Sequence, residues 1–240
     1  MGTTVPSTST ISRRTLLIAL AVVVTLLATL LVGGELYARH SVASCISSQF
    51  EKEMGSKITV RFGPKPLLIT LIDGKVSSVR VNSDDTKFGP AIGMEVHAVL
   101  HDVEVDEQNG GSVGSSSADV DWSNEGIKET LGGLVSDVSS SAASGTLTLS
   151  VLGGIGQLQL KPRIQDGAVR METTSARLLG IGLPSDLAQS ILDTFTQSLE
   201  NYPLDMKATD VRVTDSGIEV KLAGGRTQLE PAQGDTAVLC

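Results

Sequence analysis

Leu183-Pro184-Ser185-Asp186-Leu187-Ala188-Gln189-Ser190-Ile191-Leu192-Asp193-Thr194-Phe195-Thr196-Gln197-Ser198-Leu199 is the stretch on which the fold turns. At 3.6 residues per turn Leu187, Ala188, Ile191, Leu192, Phe195 and Leu199 share an arc of roughly 140°, wide enough for a helix face turned to a core, and only Ser198 breaks it. Pro184 as first helical residue, or Ser185 as N-cap with Asp186 near the positive end of the helix dipole, can start this helix. Upstream, Val42 to Met54 predicts a partner helix with Val42, Ala43, Ile46, Phe50 and Met54 on one face and Gly55 as its stop. The expectation is a sheet that cups these two amphipathic helices, with an apolar ligand held in the groove between them by Ile46, Phe50, Leu187, Ile191 and Phe195. For any one of these five, plain core packing explains the same pattern.

The rest of the soluble region alternates with period two. Ile58, Val60 and Phe62 come first, followed by the apolar cluster Leu67 to Ile72, the turn Asp73-Gly74, and a strand carrying Val76, Val79 and Val81. Ile92, Met94, Val96, Ala98 and Leu100 alternate, and Val103 and Val105 then alternate out of phase, which predicts a bulge near His101 and Asp102. The Gly/Ser/Asn-rich stretch 107–117 and the serine-rich stretch 136–145 read as polar breaks. Between them Ala118, Val120 and Trp122 suggest a strand, and Ser123 can cap a short helix with Ile127 and Leu131 on one face. Gly126 weakens that helix from inside, and Gly132-Gly133 end it. Leu147, Leu149 and Val151 lead through Gly153-Gly154 into Leu158 and Leu160, and Asp166-Gly167 turns the chain into Val169 and Met171. A last hairpin joins Val211 and Val213 to Ile218, Val220 and Leu222. Tight turns and the lack of a βαβ rhythm predict an α+β fold with a mainly antiparallel, curved sheet and its helices on one face.

Leu16 to Gly34 is an apolar run of 19 residues broken by Thr25 and Thr29. As a helix it measures about 28 Å, close to the thickness of a bilayer core. Arg13 and Arg14 precede it without an acidic residue, which puts residues 1–14 in the cytoplasm, residues 15–34 in the membrane and the domain of residues 41–224 outside, with 225–240 as a polar tail. Two processing motifs compete with this signal anchor: Ser12-Arg13-Arg14-Thr15-Leu16-Leu17, similar to a twin-arginine export signal, and Val42-Ala43-Ser44-Cys45, similar to a loose lipoprotein box. Secretion after cleavage is therefore the alternative localisation. Cys45 and Cys240 are the only two cysteines. Outside the cytoplasm they can pair as a disulfide, the alternative being two separate thiols.

Composition excludes several functions. Aromatic residues make up 3% of the chain, too few for a platform that stacks bases or sugar rings. Arg13, Arg14 and Arg39 against Glu35 put +2 on residues 1–40, and so −10 on the remainder of a chain of net −8. An acidic domain of this kind is a poor nucleic-acid binder and is repelled by anionic membrane surfaces, so lipid contact must come from apolar burial. Gly110-Gly111-Ser112-Val113-Gly114 matches a nucleophile-elbow string, but His40, His97 and His101 all precede it, against the hydrolase order. His97 and His101 beside Glu95, Asp102, Glu104 and Asp106 lack any metalloprotease or calcium-loop spacing, and Asp119 and Asp121 lack a visible pocket. Gly153-Gly154-Ile155-Gly156 has no following lysine for a phosphate loop. No catalytic residue, metal site or cofactor is expected, and the chain reads as a non-enzyme.

From about Val42 to Gly224 the chain resembles the LmeA-like family of actinobacterial cell-envelope phospholipid-binding proteins. The resemblance rests on the helix leading into Ile58-Thr59-Val60, on Asp73-Gly74-Lys75-Val76, on Leu100-His101-Asp102-Val103 and on Gly145 to Leu152. It is strongest in Gly180-Ile181-Gly182-Leu183-Pro184 entering the helix, and continues in Tyr202-Pro203-Leu204 and the hairpin around Asp215 to Gly217. It implies an export or anchor segment, an elongated domain similar to tubular lipid-binding proteins, and a part in lipoglycan assembly. Phospholipid or another acyl lipid and the cytoplasmic membrane are then the expected partners. The rival is an ectodomain that binds no lipid and scaffolds or activates a membrane glycosyltransferase by contact; it predicts a solid core with an exposed apolar patch.

Overall fold

Two open antiparallel sheets share one core. The computed structural model describes residues 13–54, 57–88, 91–106, 110–178, 184–199 and 202–229. The chain begins with α1 (Arg13–Met54), followed by β1 (Ile58–Phe62), α2 (Leu67–Asp73), β2 (Lys75–Phe88), β3 (Ala91–Asp106) and β4 (Gly110–Ser123). Then come α3 (Asn124–Leu131), β5 (Val135–Ser141), β6 (Thr146–Val151), β7 (Gly156–Gln165), β8 (Ala168–Leu178) and α4 (Ser185–Leu199). The hairpin of β9 (Lys207–Val213) and β10 (Gly217–Gly224) and the short β11 (Thr227–Leu229) complete it. The larger sheet runs β1-β2-β3-β4-β10-β9, with β11 beside β10 on the same edge of β4, and the smaller runs β5-β6-β7-β8.

The core lies where the inner faces of the two sheets meet around α3 and α4. Leu147, Leu149, Leu158 and Leu160 of the smaller sheet join Trp122, Ile218 and Val220 of the larger one, together with Ile127 and Leu131 of α3 and Ile191, Phe195 and Leu199 of α4. Alternation explains the strands: β6 and β7 bury every second residue. The sheets are stitched at the β7–β8 turn, where Asp166 and Gly167 have φ of 55° and 82°, and the Gly167 carbonyl accepts the Ala208 N–H of β9 at 2.7 Å. A Cβ on Gly167 would come within 2.9 Å of the Lys207 side chain. In α3 the expected cap forms, Ser123 Oγ accepting the Gly126 N–H at 3.1 Å. Gly126 is inside that helix because α3 rides on β3: a Cβ there would sit 2.6 Å from the Ile92 carbonyl oxygen.

Five expectations are revised. The helix expected over 42–54 is no separate element cupped with α4; it is the end of the 42-residue α1, which packs on β1 and α2. Nothing between Glu35 and Ser41 breaks a helix, and the Glu35–Arg39 pair at 2.6 Å spans one turn there. The second helix on the core is α3. Residues 110–117 and 136–141, expected as breaks, are strand, because backbone pairing to β3 and to β6 recruits them without apolar alternation. The pairing of β3 with β4 runs through His101 and Asp102 without a register shift; Asp102 instead takes a left-handed φ of 51°. The apolar cluster from Leu67, placed among the strands, forms α2, and β11 falls in the stretch read as polar tail.

Polar side chains of α1 hold α2 in place. Pro66 at its N-cap offers no side-chain acceptor. The Glu35 carboxylate takes the role, accepting the N–H groups of Leu67 at 2.7 Å and Leu68 at 3.1 Å. Arg39 donates to the carbonyls of Phe62 at 3.4 Å and Lys65 at 2.9 Å.

Candidate functional site

Register places the floor of an apolar cleft on the inner face of the larger sheet. Val81, Ala98, Ala118 and Leu222 stand opposite one another across β2, β3, β4 and β10. Two residues along, Ser83, Val96, Val120 and Val220 form the next row. Side chains two apart on a strand share a face, so both rows point the same way. The side-by-side alanines leave a hollow where larger residues would have met. The roof is the last turn of α4, with Ser198 and Leu199, and the turn Tyr202 to Met206. The cleft has a volume of about 310 Å³, at the small end of the range for ligand pockets.

Among the described residues its walls carry no charged side chain. Ser83 is 3% exposed, and Ser198 Oγ already donates to the Thr194 carbonyl at 2.8 Å. Tyr202 is the polar group at the rim: its hydroxyl accepts the Val169 N–H at 3.3 Å. Burial raises the phenol pKa above its ordinary value, and the Val169 bond offsets only part of that. The roof turn is strained, with Leu204 and Asp205 at φ of 57° and 52°, a left-handed conformation costing about 1–2 kcal/mol per non-glycine residue. It is held by the Met206 N–H on the Pro203 carbonyl at 3.2 Å and by Thr227 Oγ1 of β11 donating to the Asp205 carboxylate at 2.9 Å. Strain of this kind, fixed by neighbours and placed over a cavity, is typical of binding sites.

The five residues expected to bind ligand divide. Ile191 and Phe195 are 0% and 1% exposed within the core, Leu187 is half-buried against it, and Phe195 meets Trp122 edge-on at 5.6 Å and 69°. Ile46 lies on α1 and is 37% exposed. The Phe50 side chain lies outside the described residues. None of the described four lines the cleft; α4 reaches it only through its last turn. The residues that do line it, Ala98 and Ala118 above all, carried one sequence signal, small side chains at positions where Met94, Val96, Leu100 and Val120 lead one to expect bulk. Cys45 is half-buried on α1 and Cys240 lies outside the described residues, as do 179–183, which include the glycines entering α4.

Other chemistry does not gather. Ser112 is buried in β4 with Glu104 and Gln228 as its register partners. His97 Nδ1 donates to Asn82 Oδ1 at 3.2 Å on the exposed face. Among the described residues no group of three His, Cys, Asp or Glu side chains is placed to hold a metal. A hollow of about 450 Å³ at the α3 end is bordered by Glu95, Asp121, Glu125 and Glu129, a poor surface for an acyl chain.

A family model described as LmeA-like phospholipid-binding matches residues 29–223. Uncharacterized proteins of Mycobacterium tuberculosis and Mycobacterium bovis are each 31% identical over 216 residues, covering 85% of this chain and 62% of theirs. The chain thus spans under two thirds of the length of these relatives. No solved structure matches it.

Proposed function

Because the chain belongs to the LmeA-like phospholipid-binding family, we propose that it binds a phospholipid outside the cytoplasmic membrane, seating an acyl chain in the cleft over Ala98 and Ala118. The observation that carries this is the cleft itself, about 310 Å³ and lined, among the described residues, by no charged side chain. Each methylene moved from water into such a site is worth about 0.8 kcal/mol, so a few of them give useful affinity without an ionic anchor. The acidic domain fits a ligand held by its tail. In this reading the protein is no enzyme, and the bound lipid serves cell-envelope lipoglycan assembly, as the family resemblance implies.

In the same reading the apolar run is an uncleaved anchor, with the domain outside. The run from Leu17 to Val32 is exposed along its length and has the hydropathy of a membrane span. Glu35 and Arg39, which tie down α2 and the loop before it, would be lost by cleavage near Ser41 or Cys45. Lipid extraction and native mass spectrometry of the purified full chain test the function: phospholipid should co-purify or be taken up on mixing. Protein that stays lipid-free through both treatments overturns it in favour of the rival scaffold for a glycosyltransferase.

A further inference from the structure

We propose that α2 is an interfacial membrane helix that lies among the headgroups and sets the end of the larger sheet down on the bilayer. This rests on the anchor reading of α1 and adds a second contact with the same lipid surface. Glu35 and Arg39 fix α2 at the turn of α1 that follows the apolar run, and a Cβ on Gly34 would be 4.0 Å from Leu68 Cδ1. If the run to Gly34 fills the hydrocarbon, whatever is docked at Gly34 and Glu35 sits at the boundary between hydrocarbon and headgroups.

The chemistry of α2 suits that depth. Its sequence, Leu-Leu-Ile-Thr-Leu-Ile-Asp, has no charge before Asp73. Leu67 is buried but stands outside the main core, Leu68 is half-buried, and Ile69 is 48% exposed. These apolar residues are therefore not used to fill the domain interior. Beside them on α1, Leu36 and Tyr37 are 63% and 75% exposed; an exposed tyrosine just past a span is the usual occupant of the interface. Lys65 is turned to Asp73 at 2.6 Å and Lys75 to Glu104 at 2.8 Å, and the net −10 beyond residue 40 favours an apolar attachment over an ionic one. Since α2 links the end of β1 to the start of β2, that end of the sheet faces the lipid.

The test is tryptophan quenching in the full chain, reconstituted in nanodiscs of phosphatidylcholine and phosphatidylglycerol containing shallow or deep brominated lipid. The native Trp122 is 2% exposed in the core and supplies a constant background. Three exposed positions receive a tryptophan, one per protein: Ile69→Trp, Leu26→Trp in the run, and Ile164→Trp on β7. Shallow brominated lipid should remove about half of the emission added by Ile69→Trp, as expected of an interfacial helix. Deep brominated lipid should quench Leu26→Trp, and Ile164→Trp should be unaffected. Adding Glu35→Ala to Ile69→Trp should reduce its quenching and leave that of Leu26→Trp unchanged. Quenching at Leu26→Trp without any at Ile69→Trp overturns this inference alone; no quenching at Leu26→Trp overturns the anchor reading and this inference with it.

Discussion

Replacing Ala98 by leucine distinguishes an open cleft from a tightly filled core by the sign of its effect. Ala98 is half-buried, lines the cleft, and faces Val81 and Ala118 across its two neighbouring strands. The substitution adds three carbons. In an open cleft of about 310 Å³ they fit, and at about 0.8 kcal/mol each they add about 2.4 kcal/mol of apolar burial. For a chain of this size that raises Tm by about 5–10 °C in delipidated protein. The same three carbons displace about three methylenes of a bound acyl chain, weakening lipid binding by about fifty-fold. Thermal unfolding of the detergent-solubilised chain gives the first quantity, and titration with a phospholipid bearing a fluorescent acyl chain gives the second. An occupied core would respond in the opposite sense, since overpacking costs about 1–3 kcal/mol. A lowered Tm together with unchanged lipid affinity would refute the cleft.

Phe195→Ala removes a ring that is 1% exposed and set edge-on to Trp122. It should cost about 3–5 kcal/mol, read as a lower Tm and, since Trp122 is the only tryptophan, as a red shift of its emission. Tyr202 offers a pH-dependent readout. Its phenol pKa is raised in the folded state by burial, so the stability it contributes is fully present below the unfolded value of about 10 and is lost as pH rises from there through the folded pKa. In a Tyr37→Phe background, which leaves Tyr202 as the sole tyrosine, phenolate absorbance should appear later in the folded chain than in urea, and later still with lipid bound; coincident titrations would remove Tyr202 from the rim. Pairing of Cys45 with Cys240 would close a loop of about 195 residues, for which chain entropy predicts about 5 kcal/mol of stabilisation. Non-reducing gels should show faster migration of the full chain than of Cys45→Ser, and equal mobility would dispose of the bridge.

What was legible in the sequence followed from periodicity long enough to be unambiguous. The stripe of α4 runs over four turns, and β6, β7 and β10 alternate between glycine turns, so their buried faces could be read directly. The start of β4, Gly-Gly-Ser-Val-Gly-Ser-Ser-Ser, and the serines of β5 have no such signal. Their conformation is imposed by hydrogen bonding to β3 and β6, a tertiary effect that local composition opposes. A six-residue apolar run such as Leu67 to Ile72 fits strand or helix equally well. The cleft was the least legible feature, since it is a missing volume. Ala98 and Ala118 make it only because register sets them side by side, and register is a property of pairs of strands.

The length of α4 determines where core ends and cleft begins. The row Met94, Trp122 and Ile218 on the inner face of the larger sheet is closed by Phe195, whose ring meets Trp122, while Trp122 Nε1 donates to the Ile92 carbonyl at 2.9 Å and so leaves no buried donor unpaired. One further turn brings α4 to its end at Leu199. Among the described residues, the next two rows, which contain Val120 and Ala118, are covered by that last turn and by the strained link from Tyr202 to Met206. A longer α4 would carry large side chains over those rows and complete the core. Stopping at Leu199 forgoes that burial, and the two left-handed residues of the roof destabilise the empty domain further. An arrangement that leaves apolar rows half-covered and then roofs them with strained backbone is better explained by a ligand that fills the space than by the stability of the empty domain.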